Sequence, residues 1–159
     1  MAYREAINKI AVEGILTESK LEVKTVESKD SPNYGRRYIS CDYFVQVRDG
    51  YVIPLYVFSW ADVTEKNGKV RENKLFATYN RLHNIEKRVA THGMHEAVRL
   101  RVNGRLFENA YYKKEDPETL KSYFKGEGTF VEFLDTKNYT PEAAFSVEGV
   151  VVSVKDEIV

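Results

Sequence analysis

Apolar and polar positions alternate from the start of the chain. In residues 7–18, Ile10, Val12 and Leu16 share one parity, with Gly14 among them. Such alternation predicts a half-buried strand, and a glycine inside a strand marks a bend or bulge of the kind small barrels use. Residues 20–26 continue that strand past the bend. The composition of residues 27–37 (Glu27 to Arg37, with Pro32 and Gly35) is that of a loop. Residues 38–48 and 51–60 form the clearest hairpin, with Asp49-Gly50 as turn. A three-residue loop with Gly50 in the left-handed bulge position pairs Val47 with Ile53, Val45 with Leu55 and Tyr43 with Val57. That register gathers the aliphatic residues on one face. A two-residue loop would instead set Val45 and Val47 beside Pro54 and Trp60. The opposite face then carries Tyr38, Phe44, Gln46, Arg48, Tyr56, Phe58 and Trp60.

The period changes further on. Residues 61–74 are polar, with Asn67-Gly68 as a turn. Leu75, Tyr79, Leu82, Ile85 and Val89 then fall three and four apart, which predicts one helix ended by Gly93. Residues 98–112 return to period two. Val98, Leu100, Val102 and Leu106 face one way; Arg99, Arg101, Arg105 and Phe107 face the other. Residues 113–127 read as a polar link with a helical turn at Asp116–Phe124. Phe130–Leu134 and Ala144–Val154 read as two more strands. The predicted fold class is therefore mainly β: a five-stranded OB barrel with one helix between its third and fourth strands, plus extra C-terminal strands. An open α+β sheet is the alternative, because strand order alone does not prove closure. Residues 1–112 take the barrel to its fourth strand, and residues 113–159 supply the rest and an extension.

A short motif recurs. Residues 10–16 (Ile-Ala-Val-Glu-Gly-Ile-Leu), 100–106 (Leu-Arg-Val-Asn-Gly-Arg-Leu) and 145–151 (Phe-Ser-Val-Glu-Gly-Val-Val) share Val-x-Gly with an apolar residue following. Each could be a bent barrel strand that needs glycine at its bend. Alternatively, the last copy opens a second, similar domain that this chain lacks.

Composition narrows the chemistry. The chain has 159 residues, and Lys+Arg and Asp+Glu number 24 each. The zero net charge excludes a uniformly basic coat but not local basic patches. One cysteine excludes an intramolecular disulfide and a cysteine zinc cage, and Cys41 lies on the predicted core face. No apolar run spans a membrane and no signal-peptide pattern opens the chain, so a cytoplasmic location without membrane contact is expected. There is no Gly-rich phosphate loop and no nucleophile elbow, and Gly93 separates His92 from His95. The expectation is a non-catalytic protein without metal or cofactor.

What the sequence does hold is aromatic and basic. Aromatics are 13% of residues, with 11 Tyr, 8 Phe and 1 Trp. Tyr38, Phe44, Tyr56, Phe58 and Trp60 lie outward on the hairpin, where the bases of a single strand can stack. Arg48, Arg99, Arg101 and Arg105 share the outward parity, beside Phe107. Tyr34, Arg36 and Arg37 occupy the first loop, and Tyr111 and Lys113 precede the fifth strand. Arginine can meet phosphate or stack on a base. The plain alternative for each ring and cation is a covered face or a solvated one.

Three stretches carry a family resemblance. Ile7-Asn8-Lys9-Ile10-Ala11-Val12-Glu13-Gly14-Ile15-Leu16, Tyr56-Val57-Phe58-Ser59-Trp60 and Val102-Asn103-Gly104-Arg105-Leu106 resemble the first, third and fourth strands of single-stranded DNA-binding proteins, in a divergent form of the kind phages carry. The resemblance covers residues 7–112. It implies nonspecific binding of single-stranded DNA, rather than RNA, by the sheet's aromatics and basic residues, a role in phage replication or recombination, and homo-oligomers. The family often ends in a flexible linker and an acidic tip; this chain ends in Lys155-Asp156-Glu157-Ile158-Val159. The rival reading is an OB-type protein-interaction module, such as an assembly or inhibitory factor, which the zero net charge favours.

Overall fold

Alternating sequences give the chain long strands. In chain order these are β1 (Asn8–Ser19), β2 (Glu22–Thr25), β3 (Arg37–Arg48), β4 (Tyr51–Trp60), β5 (Asp62–Thr64) and β6 (Val70–Glu72). The helices α1 (Lys74–His83) and α2 (Val89–Glu96) follow, then β7 (Arg99–Lys113), β8 (Asp116–Leu134) and β9 (Glu142–Val147). The computed structural model describes residues 6–135, 139–151 and 153–154. The large sheet runs β2-β3-β4-β8-β7-β1-β9, and a further β1–β3 pairing closes it into a ring through β1, β3, β4, β8 and β7. Neighbours are antiparallel except β4 and β8, which run parallel. β5 and β6 form a separate hairpin around Asn67-Gly68, and Gly68 is left-handed there.

Closure depends on β1 serving two partners. Ile15 lies opposite Arg99 on one side and Gln46 on the other. An added Cβ at Gly14 would collide with the Gln46 carbonyl, so only glycine lets β3 cross there. Gly104 on β7 has the same problem with the carbonyl of Glu127, beside the bulge where β8 carries an extra residue, Thr129. Gly104→Ala should therefore cost about 1–3 kcal/mol through overpacking against backbone, read as a lower urea midpoint. An unchanged midpoint would show that the bulge yields freely.

The ring interior is filled by Val12, Leu16, Ile39, Tyr43, Val45, Leu55, Val57, Leu100, Val102 and Val131, all buried. α1 closes one end with Phe76, Tyr79 and Leu82. Its start is fixed by Asn73, whose Oδ1 accepts from Leu75 N at 3.0 Å while its Nδ2 donates to Ser59 Oγ at 3.1 Å.

Several expectations need correction. The hairpin pairs Val45 with Ile53 and Tyr43 with Leu55, not Val45 with Leu55 and Tyr43 with Val57. Gly50 is left-handed as expected, but Arg48 pairs with Tyr51 and Val47 bulges out of register. The slip is two residues, so each side chain keeps its face. The single helical stripe is two helices, because Asn84 ends α1 by donating its backbone N–H and side-chain Nδ2 to Asn80 O. Gly93 (φ 78) does break α2. Residues 113–127 are not a link with a helical turn: they lie in the β7–β8 hairpin, with Tyr112 opposite Leu120 and Phe107 opposite Lys125. Phe130–Leu134 is the end of β8, and the last strand stops at Val147, with residues 148–151 outside any strand. Val152 and residues 155–159 lie outside the described residues. Cys41, expected on the core face, is only half-buried and has a left-handed φ of 108.

Candidate functional site

β4 presents every second residue to the outside. Leu55 and Val57 point into the ring, so Tyr56, Phe58 and Trp60 point out. Tyr38 on β3 lies directly opposite Trp60, and three rings meet there. Tyr38 stacks on Phe58 with centroids 5.3 Å apart and an interplanar angle of 30°. Trp60 stands edge-on to Tyr38 (5.7 Å, 72°) and to Phe58 (5.1 Å, 89°). Phe58 is 38% exposed. Arg36, from the loop before β3, lies over the Trp60 ring at 4.2 Å. Its guanidinium is held by Asn33 Oδ1 (2.9 Å) and the Asp62 carbonyl (3.2 Å). Arg36 is itself exposed, so this corner sets a positive group directly on the aromatic cluster.

A second group adjoins it along β4. Tyr56 tilts against Phe107 of β7 at 5.8 Å, and Lys125 of β8 lies 5.0 Å over the Tyr56 ring. Lys125 also pairs with Asp42 at 2.5 Å, and Arg105 pairs with Glu127 at 2.6 Å. Glu127 stands opposite Tyr56 in the β4–β8 register. Burial, more than the neighbouring charges, holds the Tyr56 hydroxyl above the ordinary phenol range. Further along β3, Lys20 lies 5.4 Å over Phe44, and Arg48 lies 3.9 Å over Tyr51. Lys20, Arg36 and Arg48 form no ion pair among the described residues.

The structure thus gathers Arg36, Tyr38, Phe58 and Trp60 in one cluster and Tyr56, Phe107 and Arg105 in the next. Other candidates lie apart. Arg37 lies 6.0 Å over Phe76 of α1 rather than with the three rings. Tyr34 is exposed in the loop. Arg101 is held between Glu13 (2.9 Å) and Glu132 (3.1 Å), and Arg99 bonds the Ala97 carbonyl and lies 5.7 Å over Tyr139. Glu13 is itself held below the usual carboxylate range, first by the Thr140 N–H and then by Arg101. Arg101 therefore belongs to an ionic network of β1, β7 and β8, whereas Arg99 is engaged by Ala97 and Tyr139 outside those strands. Tyr111 meets Tyr123 at 6.3 Å on the exposed β7–β8 ribbon, and Lys113 sits at its tip opposite Asp116.

Sequence reasoning missed Lys20, Tyr51, Tyr123 and Lys125. The last two were hidden by reading residues 113–127 as a link; the alternation Tyr123, Lys125, Glu127 was the signal available. No group of three His, Cys, Asp or Glu side chains that could hold a metal occurs among the described residues. No helix among them is long and apolar enough to cross a membrane.

A family model described as YorF matches residues 6–158. No curated protein matches the chain. Among solved structures, the chain is similar to the mitochondrial single-stranded DNA-binding protein Rim1 of S. cerevisiae, with 11% identity, 79% of this chain and 93% of that chain covered, and a TM-score of 0.42. It is similar to a Plasmodium falciparum SSB in complex with ssDNA, with 11% identity, coverage of 84% and 100%, and a TM-score of 0.45. It is also similar to a deletion mutant of the single-stranded DNA-binding protein from Thermus aquaticus, with 17% identity, coverage of 87% and 54%, and a TM-score of 0.42.

Proposed function

We propose that this chain, which belongs to the YorF family, binds single-stranded DNA without catalysis through the outer face of β3 and β4. The observation that carries this reading is the contiguous ring cluster of Tyr38, Phe58 and Trp60 with Arg36 lying on it. Unpaired bases stack on such rings without regard to sequence, and cations beside them meet the backbone. The closed ring of β1-β3-β4-β8-β7, with helices between β4 and β7, is read here as an OB fold, whose second and third strands and flanking loops bind oligonucleotides. Tyr56, Phe107 and Phe44 extend the stacking surface. Arg48 flanks it along β3, whereas Tyr34, Arg37, Tyr111 and Lys113 stand apart from the rings and would meet only a strand that runs beyond them. Arg105 joins only by loosening from Glu127, while Arg99 and Arg101 act at a distance from the rings. The resemblance of residues 7–16, 56–60 and 102–106 supports a phage setting in replication or recombination, which would be the host cytoplasm.

Titration of the chain with a labelled oligothymidine across a salt series tests this. Each neutralised phosphate contributes about 0.7 to the slope of log affinity against log salt on single strands. Lys20, Arg36 and Arg48, free of ion pairs among the described residues, imply a slope near −2 (about three phosphates). Failure to bind at low salt overturns the reading. One observation favours the rival, a protein-interaction surface: Asp42 and Glu127 stand on the same face and neutralise Lys125 and Arg105. Salt-insensitive capture of a protein, with no oligonucleotide bound, is the result that reading expects.

A further inference from the structure

Two of the three Val-x-Gly copies are ring strands, and their glycines have a reason. Gly14 and Gly104 each lie where the carbonyl of a crossing strand leaves no room for a Cβ. Gly149 has nothing within 4 Å of such a Cβ. The surrounding residues repeat the contrast. Ile10, Val12, Ile15 and Leu16 retain at most 9% of their exposure, whereas their counterparts Phe145, Val147, Val150 and Val151 retain at least 55%. A ring-strand sequence is thus present without the ring around it.

The pairing of the two copies adds an independent observation. β9 lies antiparallel to β1 with Ile10 opposite Phe145, Asn8 opposite Val147 and Val12 opposite Ala143. In the repeat, Phe145 is the counterpart of Ile10, Val147 of Val12 and Ala143 of Asn8. The pairs therefore exchange with one another under a two-fold rotation through Ile10 and Phe145. Strands that merely converged on glycine have no reason to pair about their common centre. Among the described residues no other strand lies on the outer edge of β9, and between Glu142 and Glu148 that edge, Ala143-Ala144-Phe145-Ser146-Val147, carries no charge and no proline.

We propose that residues 142–151 are the opening strand of a second five-stranded ring, related to the first by that two-fold. Its occupant is a polypeptide carrying counterparts of β3, β4, β7 and β8 and no counterpart of β1. Such a partner would pair its β7-like strand along β9 and cross its β3-like strand over Gly149. Phe145, Val147, Val150 and Val151 would then be buried as Ile10, Val12, Ile15 and Leu16 are in the first ring.

The test supplies that partner from the chain itself. The full chain is continued by a second copy of residues 20–135, which is the ring without its opening strand. Amide hydrogen exchange is followed at residues 145–151, in the full chain and in the fusion, each with and without Gly149→Ala. The expected result is exchange slowed on the order of a hundredfold in the fusion, the free-energy equivalent of about 2.7 kcal/mol. Gly149→Ala should be silent in the full chain and should remove the slowing in the fusion. Unchanged exchange in the fusion overturns the proposal. So does slowing that Gly149→Ala leaves intact, since no strand would then cross over Gly149 as β3 crosses over Gly14. A fusion that is insoluble while the full chain is soluble overturns it as well, because the strand has then failed to complete the ring.

Discussion

Replacing both Phe58 and Trp60 by alanine should weaken oligothymidine binding on the order of a hundredfold while leaving the melting curve nearly unmoved. Base–aromatic stacking is worth about 1–3 kcal/mol per ring by alanine substitution. Two independent rings would then contribute up to four decades. These rings are not independent: their centroids are 5.1 Å apart and both touch Tyr38. Residues in contact do not add, and the loss of one already disorders the platform of the other. Hence the smaller figure, and hence a single Trp60→Ala should take more than half of the free energy that the double variant takes. Stability should be spared because both side chains lie outside the ring that Leu55 and Val57 fill. Phe58→Tyr keeps the ring and should bind as the parent does. Trp60 is the sole tryptophan, so its emission reports directly on the site. Quenching by oligothymidine that salt reverses is the companion observation. Parent-like affinity in the double variant would place the DNA elsewhere and leave the cluster as a protein interface.

The faces that make this prediction possible were legible in the sequence because parity is a robust signal. Assigning Phe58 and Trp60 outward required only that Leu55 and Val57 go inward, and a two-residue slip in the hairpin left that intact. Register was less accessible. The bulge at Val47 is a backbone choice with no marked residue type, and Gly50 fits either loop. The β7–β8 ribbon was missed for another reason. Its residues 108–124 are paired only with each other and are exposed or half-exposed, so burial never imposed a hydrophobic face. Arg101 and Arg105 show a third limit. Their parity was readable, but their partners Glu13, Glu132 and Glu127 lie on other strands, far off in sequence. Two basic residues offered to phosphate are in fact engaged with carboxylates.

Truncating Tyr79 to alanine should cost the fold about 3–5 kcal/mol, the range for emptying a buried aromatic site. Tyr79 is fully buried, joins α1 to the ring and shares a 2.9 Å hydrogen bond with the equally buried Tyr43. Gly128 makes room for the pair: a Cβ there would strike both hydroxyls. Tyr79→Phe keeps the ring and removes one hydroxyl, leaving that of Tyr43 buried without its partner, which costs about 1–3 kcal/mol. The double variant with Tyr43→Phe removes both and should recover part of that loss. The same pair sets an alkaline limit on stability. Burial holds both phenols above their ordinary value near 10, for Tyr43 with the Tyr79 charge as the next cause. Above that value the unfolded chain releases both protons while the folded chain keeps them. Stability is therefore fully present below pH of about 10 and falls as pH rises further, by about 1.4 kcal/mol per pH unit for each tyrosine and about 2.7 for the pair. Urea midpoints measured from pH 8 to 11 should be level and then decline in the parent, and the double phenylalanine variant should lose most of the decline. A decline of equal steepness in that variant would assign the alkaline loss to groups other than this buried pair.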